Sequence, residues 1–247
     1  MSIHVLGGST TEEKANKTHL LQTLRQNTIP DGELLDNLGL FLTRQTLSRI
    51  NFMQELYGEI LHTHGSIMEF GVRWGQNLAL FSALRGMHEP FNYNRQIIGF
   101  DTFSGFPSVD EKDGTQVKTG DYAVSDNWKH TLESILSIHE QNSPIAHKKK
   151  VHLVEGDATQ TLPNYLSSHP ETIIALAYFD FDIYQPTKVC LEAILPHLTK
   201  GSIIAFDELN CAEFPGETLA VKEVLGLSRY AIRRSVHSPL TSYIVID

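Results

Sequence analysis

The sequence predicts an α/β protein, a doubly wound sheet carrying an N-terminal helical section, on three observations. Five short apolar runs, at residues 66–72, 96–100, 151–154, 172–179 and 202–206, are separated by segments long enough to be helices. Their hydrophobicity is continuous instead of alternating, as in parallel strands buried on both faces, and strand–helix alternation of this kind builds a doubly wound sheet. The third observation is size. A chain of 247 residues, 41% hydrophobic and 20% charged, can close one large core and has the composition of neither a disordered, a collagenous nor a coiled-coil protein.

Taken in order, the first section runs to residue 62. Apolar residues between about residues 10 and 61 recur at helical spacing, as in Ile50, Met53, Tyr57, Ile60 and Leu61, with a break at Pro30-Asp31-Gly32. Residues 63–247 then form the sheet domain. After the second apolar run comes a polar stretch, 104–127, rich in Gly and Asp. So long a loop inside a compact domain reads as a lid or binding loop, the alternative being a disordered insertion. The tail departs from the pattern: 229–236 and 242–246 are strand-like runs joined by His237-Ser238-Pro239-Leu240, which predicts a closing antiparallel hairpin.

Charge and cysteine content narrow the function. Lys+Arg 20 against Asp+Glu 29 leaves a net charge of −9, which argues against nucleic acid or an anionic membrane as partner. The basic run Lys148-Lys149-Lys150 reads as a solvated loop. Cys190 and Cys211 make neither a disulfide framework nor a zinc spacing. The opening MSIHVLGGSTTEEK lacks the pattern of a secretory leader, and the longest apolar stretches are too short to span a membrane. A soluble, cytoplasmic protein is expected.

The chemistry-bearing segments sit where the strands end. In Glu69-Phe70-Gly71-Val72-Arg73-Trp74-Gly75, Gly71 and Gly75 allow a sharp turn and close approach to a ligand. Neither the dinucleotide G-x-G-x-x-G nor the G-x-x-x-x-G-K-[ST] phosphate loop is present, so a plain tight turn stays open. Asp101, ending the second run, is placed to accept both hydroxyls of a ribose. Asp157 in Glu155-Gly156-Asp157-Ala158 is placed for an adenine amino group, although an Asp there can equally cap a helix. Together these ends describe an adenosine site without a pyrophosphate cradle.

The next two ends are acidic: Tyr178-Phe179-Asp180-Phe181-Asp182 and Phe206-Asp207-Glu208-Leu209-Asn210. Adjacent parallel strands would bring Asp180, Asp207 and Glu208 to one point. Three carboxylates that close repel unless a cation holds them, and oxygen ligands suit Mg²⁺, Ca²⁺ or Mn²⁺. Asp182 points away if the strand continues. The alternative is that these acids cap helices or pair with Arg.

As a set, EFGVRWGQNLALF, IIGFDTFSGFP, EGDATQTLP, ALAYFDFDIYQPT and IIAFDELN resemble the class I S-adenosylmethionine-dependent methyltransferases. Within them the chain resembles the macrocin O-methyltransferase type, which includes enzymes acting on TDP-linked 6-deoxysugars, from about Arg44 onward. The resemblance implies a seven-stranded Rossmann-like sheet with one antiparallel strand contributed by the terminal hairpin. It implies that Glu69, Gly71 and Gly75 line the methionine part of S-adenosylmethionine, Asp101 the ribose, and Asp157 with Ala158 the adenine. Arg73, Thr102, Phe103, Gly156 and Asp180 complete the expected cofactor-binding set. Asp180, Asp207 and Glu208 would hold Mg²⁺ or another divalent oxygen-liganded cation, although many relatives carry Asp-Asp where this chain has Asp207-Glu208.

The implied reaction moves the methyl group of S-adenosylmethionine to a sugar hydroxyl, on a nucleotide-linked 6-deoxysugar or a glycosylated natural product. A cation would lower the pKa of that hydroxyl, and a base would take its proton. Asp180 and His130 are the expected catalytic residues, His130 because related enzymes carry a His on the lid; His139 is second. Tyr122, Asp182, Tyr184 and Asn210 are the expected substrate contacts. Open alternatives are methylation of another hydroxylated molecule such as a catechol, or a non-catalytic S-adenosylmethionine-binding protein. Relatives are usually homo-oligomers, with the N-terminal helices covering the site or forming the interface.

Overall fold

The computed structural model describes residues 9–247. Residues 1–8, which begin both the 1–62 section and the opening read for a leader, lie outside the described residues. The first helix, α1 (Thr11–Arg25), starts at a capping box: the Glu13 amide donates to Thr10 Oγ1 at 3.2 Å and the Thr10 amide to Glu13 Oε2 at 2.9 Å. Neither α1, α2 (Asp31–Leu34) nor the following 3-10 turn (Leu35–Phe41) contains a buried residue. Helix α3 (Arg44–Glu59) behaves differently. It buries Phe52, Met53, Leu56 and Tyr57 in the same core as the sheet, so the helical section is not uniform.

Seven strands form one sheet: β1 (Ser66–Phe70), β2 (Ile97–Asp101), β3 (Val151–Glu155), β4 (Ile174–Phe179), β5 (Leu198–Phe206), β6 (Arg233–Arg234) and β7 (Ser242–Val245). Their order is β3-β2-β1-β4-β5-β7-β6, and only β7 pairs antiparallel, with β5 on one side and β6 on the other. The chain winds outward from β1 to β3, then returns to β4 on the other side of β1. That reversal opens a crevice at the carboxyl ends of β1 and β4.

The expected hairpin is present but short, because residues 231–234 are exposed and only Arg233–Arg234 find ladder partners. Helices α3, α4 (Gln76–His88) and α5 (Trp128–Gln141) cover one face, through Leu78, Phe81, Leu132 and Leu136. Helices α6 (Ala158–Ser168), α7 (Tyr184–Ile194) and α8 (Pro215–Val224) cover the other, through Leu162, Leu191 and Val221. Tyr178 faces the first core and Phe179 the second. This explains why the strands read as continuously apolar. Among the described residues, no helix is long and apolar enough to cross a membrane.

Candidate active site

The site begins with a row of phenylalanines. Phe100, Phe70, Phe179 and Phe206 are register partners on β2, β1, β4 and β5. Their rings stack at centroid distances of 5.3, 4.7 and 5.6 Å. Stacking in register brings four strands to an end at one level. The next residue on each is then also level: Asp101, Gly71, Asp180 and Asp207 stand along one edge. Above them lies a cavity of about 400 Å³.

On the β1–β3 side the backbone does most of the work. Gly71 has φ +94°, and a Cβ there would stand 2.0 Å from the Asp180 carbonyl oxygen, so the ends of β1 and β4 touch. Gly75, with φ +80°, starts α4 where a Cβ would strike Leu132 at 2.3 Å. Between them Arg73 takes φ 48°, which aims its amide at Asp101 Oδ2, 2.7 Å away. Asp101 Oδ1 accepts the Phe103 amide at 2.5 Å. Burial pushes the Asp101 carboxyl above its ordinary pKa, against the pull of these amides. Asp157 caps α6, accepting the Thr159 amide at 2.9 Å through Oδ1, and still lines the cavity with Gly156 and Ala158.

The polar stretch 104–127 is an ordered wall. Its ends are tied by the Phe106 amide on the Asp121 carbonyl, 3.0 Å, and the Gly120 amide on the Phe106 carbonyl, 2.9 Å. Phe106 and Tyr122 pack with their rings tilted by 35° at 5.3 Å and line the cavity, with the Arg73 guanidinium 4.8 Å from the Tyr122 ring centroid.

On the β4–β5 side, side chains face one another. Asp180, Asp182, Asp207 and Glu208 all line the cavity. Arg49, from α3, bridges Asp180 Oδ2 at 3.2 Å and Asp207 Oδ2 at 3.0 Å. The Tyr178 hydroxyl donates to Asp207 Oδ1 at 2.6 Å. Burial first, and then Asp207, lifts Asp180 to about 7 despite Arg49. Burial, followed by Asp180, raises Asp182, and burial with Asp207 raises Glu208. Beneath them Glu217 is fully buried, accepts the Glu208 amide at 3.3 Å, and is held well above the ordinary carboxylate range by burial.

Residues 68–209, more than half of the chain, match the methyltransferase-domain family model. The chain belongs to the methyltransferase family. It is a class I S-adenosylmethionine-dependent enzyme, and the resemblance to the macrocin O-methyltransferase type holds. The methyltransferase is 43% identical to the calicheamicin methyltransferase CalS11, with a TM-score of 0.94 over 99% of this chain and 96% of that one. An apo structure of CalS11, described as a TDP-rhamnose 3'-O-methyltransferase of calicheamicin biosynthesis, is 41% identical, with a TM-score of 0.87 over 97% of this chain and 96% of that one. The O-methyltransferase NovP shares the fold at 15% identity and a TM-score of 0.60, covering 81% of this chain and 80% of that one. No curated protein matches the sequence.

Most of the expected site residues of the methyltransferase come together, and the side chains of five do not. His130 is exposed in the first turn of α5, outside the cavity walls. Tyr184 begins α7 and is directed elsewhere: its amide donates to Asp113 Oδ1 at 2.6 Å and its hydroxyl to Glu223. Asn210 is exposed, with its amide on Thr218 Oγ1 at 2.9 Å. Glu69 lies beneath the cavity floor, fully buried, bound to Asn77 Nδ2 at 2.9 Å and raised well above the ordinary carboxylate range by burial. Phe103 packs against the first core and serves the site through its backbone amide.

Asp182 corrects the sequence expectation in the other sense. β4 ends at Phe179, and Asp182 takes φ 63°, so the alternation that would have turned it away no longer applies. Arg49 and Glu217 went unread in the sequence. For Arg49 a signal existed: it occupies the apolar stripe that continues through Met53, Leu56 and Ile60, where a charge has no packing reason to be.

The carboxylates fit a hard divalent cation by donor chemistry, and Glu208 Oε2 is a buried acceptor with no protein partner. Arg49 nevertheless stands between two of the three expected ligands. Among the described residues, no three His, Cys, Asp or Glu side chains are arranged to hold a metal as they stand.

Proposed function

We propose that the chain is a metal-dependent O-methyltransferase acting on a sugar hydroxyl, on a nucleotide-linked 6-deoxysugar or a glycosylated natural product. The observation that carries this reading is the four-carboxylate wall facing an adenosine-type cradle across one cavity, in a chain 41% identical over 97% of its length to a TDP-rhamnose 3'-O-methyltransferase. Binding S-adenosylmethionine requires the cradle alone, so the acidic wall needs a second purpose.

Bound S-adenosylmethionine would supply the methyl group, and Mg²⁺ held by Asp180, Asp207 and Glu208 would lower the pKa of the acceptor hydroxyl. The chain's own residues do the rest. Gly71 and Gly75 leave room for the methionine part, Asp101 accepts from the ribose, and Asp157 with Ala158 meets the adenine. Arg73, Thr102 and Gly156 flank them. Phe106 and Tyr122 shield the reacting groups from water and offer the acceptor a stacking surface. The hydroxyl proton goes to the Asp182 carboxylate, which lines the cavity beside Asp180, whereas His130 does not reach it. Holding both reactants in line supplies much of the rate.

The test is product formation from S-adenosylmethionine and a panel of TDP-6-deoxysugars and catechols, with and without EDTA. Methylation of a sugar that EDTA abolishes is the expected result; methylation of catechols alone, or of sugars unaffected by EDTA, refutes the reading.

We further propose a homo-oligomer in the cytoplasm, where the two buried thiols stay reduced. Leu35 and Leu40 are exposed at 78 and 68% on the 3-10 turn, which buries nothing, and Leu47 at 48% in the first turn of α3, as an interface face would be. Replacing Leu35 and Leu40 with Glu is expected to yield a monomer by light scattering.

A further inference from the structure

We infer that Arg49 is the resident counter-cation of the carboxylate wall and competes with the divalent metal for Asp180 and Asp207. The inference rests on the metal-dependent reading above and adds what the metal must displace. Both oxygens of Asp207 are engaged, Oδ1 by the Tyr178 hydroxyl at 2.6 Å and Oδ2 by Arg49 at 3.0 Å. Asp180 Oδ2 is engaged by Arg49 at 3.2 Å. Only Glu208 of the three expected ligands offers a buried oxygen with no protein partner. A divalent ion bound to Asp180 and Asp207 would stand beside the guanidinium as a like charge, in a pocket where screening is weak.

The surroundings allow Arg49 to leave. Its side chain keeps 33% of its exposure and lines the open cavity, whereas Asp207 is 11% exposed and held by Tyr178. The mobile partner of the ion pair is therefore the cation. Arg49 offsets part of the wall's charge without metal, through Asp180 and Asp207. In exchange, metal affinity is reduced by the work of moving Arg49.

The experiment uses full-length, EDTA-stripped protein without S-adenosylmethionine, with Mg²⁺ alone as the probe. Calorimetry and thermal melts compare wild type with Arg49→Met, Arg49→Lys and Asp207→Asn. Competition predicts that Arg49→Met melts lower than wild type in EDTA. It also predicts that this variant binds Mg²⁺ roughly tenfold more tightly or better, a usual size for coupling between two occupants of one site. Its melting point then rises with Mg²⁺ more than that of the wild type. Arg49→Lys, which keeps a charge but cannot bridge both carboxylates, lies between them and decides the matter if Arg49→Met does not fold. Asp207→Asn loses Mg²⁺ binding.

If wild type binds Mg²⁺ and the Arg49 variants bind it equally or more weakly, Arg49 does not compete and the inference fails while the metal reading stands. If no variant binds Mg²⁺ at millimolar concentration, the metal reading itself fails and carries the inference with it.

Discussion

The two halves of the cavity solve the problem of a buried acid in opposite ways. On the β1–β3 side, Asp101 and Asp157 are satisfied locally by amides of Arg73, Phe103 and Thr159, none more than 28 residues away. On the β4–β5 side, Asp180 and Asp207 are satisfied by Arg49, from 131 and 158 residues upstream. The first half is a cradle whose shape is complete without ligand. The second is a concentration of charge that one arginine and one tyrosine offset. Amide donors are part of the turn and cannot leave, so they suit a cofactor that must bind in one pose. Side-chain counter-charges can move, which suits a wall that must handle a cation and a proton.

The comparison breaks most decisively at Asp182. Asp182→Asn is expected to lower kcat by roughly 10²- to 10⁴-fold, the usual contribution of a general base, with S-adenosylmethionine affinity unchanged by calorimetry. A variant that lost cofactor affinity instead would place Asp182 in the cradle and erase the division. Next in size is Gly71→Ala. The new Cβ would overlap the Asp180 carbonyl at 2.0 Å in a φ +94° turn, and a loss of about 3 kcal/mol in urea unfolding is expected. A smaller loss would mean that the two halves are less rigidly joined than this contact implies.

Asp101→Ala sharpens the cradle side. Removing an acceptor of charged hydrogen bonds is expected to weaken S-adenosylmethionine binding roughly 10- to 100-fold while leaving Mg²⁺ affinity alone. If Mg²⁺ binding fell as well, the halves would be coupled.

The smallest effect lies at the opposite end of the sheet, where Glu89 shows a fully paired acid. Burial opposes its charge, but Arg95, Tyr57 and Asn92 outweigh it and hold Glu89 below its ordinary value of 4.5. A depressed carboxylate stabilises the fold above its unfolded pKa and loses that contribution as pH falls through the folded value. Tyr57→Phe, which removes a 2.6 Å bond to Glu89, is expected to cost about 1–2 kcal/mol at pH 7 and clearly less at pH 3, measured by urea melts. An equal cost at both pH values would show that the bond does not depend on the charge.

Much of this molecule was legible in its sequence, for a physical reason that differs from part to part. Continuous apolar runs report strands buried on both faces, so β1 to β5 could be read directly. Gly71 and the acids at 101, 180 and 207 could be read because they end or immediately follow a strand, and Gly75 and Asp157 because they open the helices that come after one; parallel strands end on the same side. What the sequence could not determine were features made by chain segments far apart, or by departures from regular geometry. Asp182 depends on where β4 stops. His130 was assigned by resemblance to lid-borne histidines and Tyr184 by nearness to a strand end, yet the first is exposed on α5 and the second turns toward Glu223. Arg49 meets Asp180 and Asp207 only because α3 packs its apolar stripe against the sheet, carrying one charged residue to the acidic edge. Local spacing decided the strands and the cradle; tertiary packing decided which charges meet.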